Sequence, residues 1–145
     1  MNLIDTDLEA RVRTSFERQQ VMRLLNAQLQ NILPGEVQIK FPYQLCLTQQ
    51  NGYIHAGIIT TILDSACGFA AFTMMPINRS VLSIEFKVNL LSPAVGESFI
   101  GIGKVIKAGR TITVCSGELL SMESGNKKLV AIMQASMITV EKRND

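Results

Sequence analysis

Histidine is nearly absent from this chain: among 145 residues there is one, His55. A lone imidazole leaves no His-His metal motif, and no Cys-His nucleophile pair is readable from spacing, so metal catalysis and a resident cofactor are not expected. The three cysteines, Cys46, Cys67 and Cys115, are odd in number, widely spaced and form no C-x-x-C. They read as buried or half-buried thiols of a reducing compartment, not as a disulfide framework or a zinc site. Excess charge of one sign is also missing. A net charge of +2 is too small to mark a nucleic-acid binder. Arg11, Arg13, Arg18 and Arg23 are mixed with acids and glutamines, as on a solvated helix face. The opening MNLIDTDLEARVR has acids where an export signal needs a basic stretch and an apolar core, so a cytoplasmic protein is expected. Repeats, low-complexity tracts and interdomain linkers are lacking as well, and the length suits one domain over 1–145.

What the chain does have is one long apolar run. From Gly57 to Met75 the only charged side chain is Asp64. The run is about as long as a membrane span. An aspartate at the centre of a span, however, costs about 2.5–3.5 kcal/mol to insert, and no Lys or Arg cluster marks one side. The run therefore reads as a helix from about Ala56 to Thr73 buried inside the protein, with no membrane partner. Upstream, TDLE (Thr6 to Glu9) fits a capping box. Val12, Phe16, Val21, Leu24, Leu25 and Leu29 recur at helical spacing, which predicts an N-terminal helix over about 6–29 ending before Pro34-Gly35. Short extended stretches are expected at Val37 to Phe41 and Gln44 to Thr48.

Downstream the period becomes two. Leu82, Ile84, Phe86, Val88 and Leu90 alternate with polar residues, the pattern of a half-buried strand. Strands are also predicted at Phe99 to Lys107, Thr111 to Met122 and Leu129 to Val140, joined by SPAVGE, KAGR and ESGNKK turns. Short connections imply an antiparallel meander. The class is α+β, with the core over about 36–140. A helix apolar almost all round needs cover on most sides, so the sheet is expected to curl around it, with a partner subunit closing the rest.

Asp64 and His55 are the residues that call for chemistry. Asp is poor in a helix interior and needs a reason to be there. It reads either as a structural carboxylate, bonded across a dimer or to Thr60, Thr61 or Ser65, or as a base or nucleophile. Asp64 lies roughly 12 Å along the axis from the helix start and about half a turn round from His55. One small substrate cannot readily touch both within one chain. If they serve one site, two copies must share it, which predicts a two-fold dimer. Free backbone N–H groups of Ala56 and Gly57 at the helix start could face a developing oxyanion. Phe69, Phe72, Met74 and Met75 either pack the core or line a pocket.

NGYIHAGIITTILDSACG resembles the helix-start signature of hotdog-fold acyl-CoA thioesterases of the phenylacetic-acid-degradation type, a G-x-x-H-G-G with an Asp nine residues after the His. SIEFKVNLLSPAVGE, GKVIKAGRTITVCSGEL and the last strand resemble that family's later strands, so the likeness covers about Pro42 to Val140. The resemblance implies a hotdog fold with an extra N-terminal helix, an acyl-CoA substrate, and a dimer or dimer of dimers. It also implies roles. Asp64 would activate water or attack the thioester carbonyl, the Ala56 N–H of the other copy would polarise the thioester oxygen, and His55 would support that site. Gln49 stands where relatives often carry Asn, with Asn51 a competing amide, and Ser83 aligns with a polar strand residue that would assist at the same site. Ala56 departs from the family's first glycine and adds a methyl group. Lys107 and Arg110 of the KAGR turn, and more weakly Lys87 and Lys104, would meet coenzyme A phosphates. Two other readings stay open: a non-catalytic acyl-thioester binding protein, and a hotdog hydratase or dehydratase, against which the Asp nine residues after His55 argues.

Overall fold

A computed structural model describes residues 3–143, with side chains in the first helix from Asp7 onward. The chain forms α1 (Leu3–Glu17), α2 (Gln20–Leu24), β1 (Gln28–Leu33), β2 (Glu36–Pro42), a single 3-10 turn (Leu45–Leu47), α3 (Ala56–Phe72), β3 (Arg79–Leu90), β4 (Ser98–Ala108), β5 (Ile112–Glu123) and β6 (Asn126–Glu141). The strands make one antiparallel sheet in the order β1-β2-β4-β5-β6-β3, curled around α3.

α3 is apolar wherever the sheet covers it. Ile62, Leu63, Ala66, Cys67, Ala70 and Ala71 are fully enclosed. Opposite them stand the inward residues of alternating strands: Val37, Ile39 and Phe41 of β2, Phe99 of β4, Leu119 of β5, and Met133, Ala135 and Met137 of β6. Where β4 and β5 pass closest, the inward positions are glycines. A Cβ on Gly103 would fall within the backbone envelope of Ala66; one on Gly101 would sit 2.6 Å from Ile62 Cγ2, and one on Gly117 3.0 Å from Cys67 Sγ. A strand glycine normally costs stability; here it lets a helix backbone lie directly on the sheet.

The N-terminal region departs from the expected single helix over about 6–29. α1 already includes Thr6, so TDLE lies inside the helix and not at its cap; the Thr6 side chain is outside the described residues. The helix stops at Glu17. After α2, Asn26 takes a left-handed φ of 51°, and Leu29 then belongs to strand β1. The helical spacing misled because Val21 and Leu24 are exposed; they prolong an apolar pattern that the core does not use. Likewise Gln44 to Thr48 is a 3-10 turn, not a strand. Arg11 is not part of a solvated face either. Its guanidinium lies 4.6 Å from the Phe72 ring centroid and donates to the carbonyls of Phe72 (2.9 Å) and Met75 (3.1 Å), satisfying groups the end of α3 leaves open.

Only β4, β5 and β6 form the expected meander. β3 pairs with β6 at the far edge, and the SPAVGE connection carries the chain across the sheet to β4. The apolar side chains of β3 do not form a covered face: Leu82, Ile84, Phe86 and Leu90 are each about half exposed, along a strand with one free edge. Replacing Gly103 by Ala is expected to destabilise the fold by about 3 kcal/mol, because backbone must move to admit the methyl group. A fall in the urea midpoint with unchanged slope would record it.

Candidate active site

The start of α3 is held by a short, well-tied loop. Thr48 bridges Ile54, the Gln49 N–H donates to the Tyr53 carbonyl, and Gly52, at φ 82°, donates back to the Gln49 carbonyl. Gln49 Oε1 also accepts from the Asn51 N–H. His55 then caps the helix. Its backbone is extended, its Nδ1 accepts from the Gly57 N–H at 2.8 Å, and its carbonyl takes the N–H groups of Ile58 and Ile59. An Nδ1 that accepts carries no proton, so the imidazole's N–H is at Nε2.

This arrangement corrects one expectation. The Gly57 N–H cannot serve as an oxyanion donor while His55 occupies it. Of the first-turn amides, the Ala56 N–H alone has no partner among the described residues. Gly57 instead allows the cap, since a Cβ there would stand 3.1 Å from His55 Nδ1. Ala56, His55 and Gln49 line one cleft of about 400 Å³, with Ile59, Leu91 and Ala94 among its apolar walls. Asn51 is exposed and does not line it.

Asp64 sits elsewhere. It is half-buried, and its Oδ1 accepts from the Ser83 hydroxyl at 2.6 Å. A bulge between Ser83 and Glu85 turns the edge strand, and Leu82 and Ser83 both border the same hollow. The hydroxyls considered as structural partners are committed otherwise: Thr60 and Thr61 bond the Ala56 and Gly57 carbonyls, and Ser65 donates to Gln19 Oε1 at 3.0 Å. The Asp64 cleft, of about 350 Å³, shares no lining residue with the Ala56 cleft. Gln19, from the α1–α2 joint, was not legible as a site residue, because nothing in local spacing links it to Ser65, 46 positions away.

Lys107 and Arg110 are exposed and border neither cleft. The register nevertheless runs Ser83–Met137–Thr113–Ala108 across β3, β6, β5 and β4, so their turn lies at Ser83's end of the sheet. Lys104 is 3.8 Å from Glu36. Among the described residues no three His, Cys, Asp or Glu side chains gather as a metal-binding group. The two buried thiols are equally unsuited to attack. Burial pushes Cys115 up to about 11 and Cys67 higher still, the latter with help from Cys115 and Asp64. Cys46, expected to be buried or half-buried, is exposed.

One apolar helix wrapped by a curled antiparallel sheet is the hotdog fold, the arrangement of the thioesterase class. The chain belongs to the thioesterase superfamily, whose family profile matches residues 51–126. It is 32% identical over 95 residues to a Saccharolobus solfataricus protein provisionally named an esterase, spanning 66% of this chain and 67% of that one. Its structure is similar to that of a thioesterase family protein from Silicibacter pomeroyi, with a TM-score of 0.91 and 44% identity over 93% of this chain and 99% of the other. The E. coli PaaI protein of the phenylacetic acid degradation operon shares the fold, with a TM-score of 0.84 at 12% identity over 94% and 96% of the two chains. No helix among the described residues is long and apolar enough to cross a membrane.

His55→Ala is expected to cost about 1 kcal/mol as a lost N-cap, with His55→Asn restoring most of it, read from thermal midpoints. Ellman's reagent at mildly alkaline pH should label Cys46 quickly and the two enclosed thiols only on unfolding.

Proposed function

We propose that the protein hydrolyses acyl-CoA thioesters at sites shared between two copies, Asp64 from one and the Ala56 N–H from the other. The observation that carries this reading is the separation just described. The single unsatisfied amide of α3 opens into one cleft, and the Ser83-bonded carboxylate into another. The exposed apolar residues of β3, on an edge strand with one free side, support the pairing of copies. By resemblance, two such dimers associate further.

In this mechanism the thioester carbonyl lies between the half-sites. Asp64 either takes a proton from water as it attacks, or attacks the carbonyl itself; Ser83 holds one carboxylate oxygen and leaves the other to react. The Ala56 N–H, at the positive end of α3, donates to the oxyanion. The tetrahedral intermediate then collapses, expelling the coenzyme A thiolate, a leaving group good enough to need no metal; direct attack leaves a mixed anhydride on Asp64, which water hydrolyses to the free acid and the carboxylate. His55 keeps the loop and amide in place. Gln49 leaves its NH₂ without a partner among the described residues, as a donor for substrate or water. By resemblance, Lys107 and Arg110 of the copy that supplies Asp64 would meet the coenzyme A phosphates as the polar arm leaves the Ala56 cleft of the other.

Release of free thiol from an acyl-CoA panel tests the reading. Asp64→Asn should lower kcat by about 10³-fold or more, and an Asp64→Ala variant as active as the parent would overturn it. Ala56→Pro removes the N–H at a helix position that tolerates proline, after a His55 already extended, and should cost about 10²–10³ in kcat without unfolding the protein. Co-refolding equal amounts of the two inactive variants should restore about a quarter of parental activity, since half the dimers are mixed and each has one intact site. No recovery would argue against sharing. Binding of acyl-CoA without turnover would instead favour a non-catalytic acyl-thioester binding protein.

A further inference from the structure

Gly68 is a glycine that the fold does not require. It lies mid-helix on α3, one turn beyond Asp64, and is not among the positive-φ glycines. Helix interiors disfavour glycine relative to alanine, so some other demand must hold it there. The packing glycines of β4 and β5 answer that demand with a clash; Gly68 does not, since an added Cβ would meet nothing within 4 Å. Yet Gly68 is buried from bulk water. An enclosed backbone with empty space above it is the floor of a hollow.

That hollow is the Asp64 cleft. Beyond Asp64 and Ser83 its walls are Gln19, Ser65, Phe69, Val81 and Leu82. No lysine or arginine lines it, so it offers nothing to the phosphates of coenzyme A. The Ala56 cleft differs at its outer end. It shares Tyr53 and Pro93 with a larger, more polar cleft of about 600 Å³ that includes Ser124, Asn126 and Lys128. The polar arm of the substrate therefore has a way out past Tyr53, and the acyl group has its own compartment beside the attacking carboxylate.

We propose that the hollow over Gly68 is the acyl compartment, and that Gly68 and Gln19 determine which acyl groups enter; this rests on the thioesterase reading above. Gly68 supplies depth. Gln19, from the N-terminal helical segment, closes the wall. Its Oε1 is fixed by Ser65, and its NH₂ has no partner among the described residues, so it can donate to a polar atom on the acyl group. At about 350 Å³ the space is large enough to hold an acyl group.

Binding is measured with S-alkyl thioether analogues of acetyl-, hexanoyl- and decanoyl-CoA, which cannot be hydrolysed, alongside hydrolysis of the matching thioesters. Gly68→Leu should weaken the hexanoyl analogue by about tenfold or more and leave acetyl within about twofold. Gly68→Ala, a safer variant for folding, should raise the thermal midpoint while shifting preference toward acetyl, a combination that a purely structural glycine would not produce. Gln19→Leu should change the ranking of acyl groups. Equal loss for every analogue, no loss for any, or a preference that follows Leu91→Ala in the other cleft instead of Gly68→Leu would overturn the assignment. A parent protein that binds the analogues with this pattern but hydrolyses no thioester would retain the compartment and refute the thioesterase reading.

Discussion

The close seating of α3 on the sheet governs everything else in this molecule. Gly103 brings strand and helix backbones to a distance no side chain would permit, and Gly101 and Gly117 leave room for the side chains of Ile62 and Cys67. At that distance α3 can carry nothing polar on its sheet-facing sides, which is why Ile62, Leu63, Ala66 and Cys67 follow one another and why the two inner thiols are held far from their reactive form. Polarity is confined to two places: the exposed start of the helix, and the narrow side where the edge strand β3 curls past. The chemistry-bearing groups occupy those two places. Arg11 completes the arrangement from outside, holding the last carbonyls of α3 and anchoring the N-terminal helix over Phe72.

The same rigidity separates the groups. Because α3 is straight and enclosed, Asp64 cannot approach Ala56, and each borders its own cleft. Membership of the thioesterase superfamily agrees with the function proposed for the pair. Capping refines the picture further. His55 is not an isolated imidazole beside the site but the group that consumes the Gly57 N–H, so that one backbone donor, not two, remains at the helix start. The N-terminal segment also acquires a purpose: its joint puts Gln19 beside Ser65 and completes the wall near Asp64.

Much of this was legible along the chain. The apolar run with one carboxylate marked α3 to within a residue at each end, and the period-two stretches marked β3 to β6, because burial imposes those periods directly on the sequence. Legibility failed where burial did not write the pattern. Val21 and Leu24 are apolar and exposed, so they extended a helix that ends at Glu17. β3 alternates well but is paired on one side only, and its partner, β6, is the last strand of the chain, not the next one. Gln19 and Gly68 carried no spacing signal at all, since one acts across a long sequence separation and the other through the absence of a side chain.

By itself the sequence determined α3 and the four long strands, the half-turn between His55 and Asp64, and hence the need for two copies if both serve one site. These follow from rise and rotation per residue, which are properties of a backbone and need no neighbours. Only the tertiary structure decided which hydroxyl holds Asp64, which amide at the helix start stays free, and that the space over Gly68 is empty. Those depend on the hydrogen-bond choices and close approaches of residues far apart in sequence, where two or three competing partners differ by about 1 kcal/mol each and packing alone selects among them.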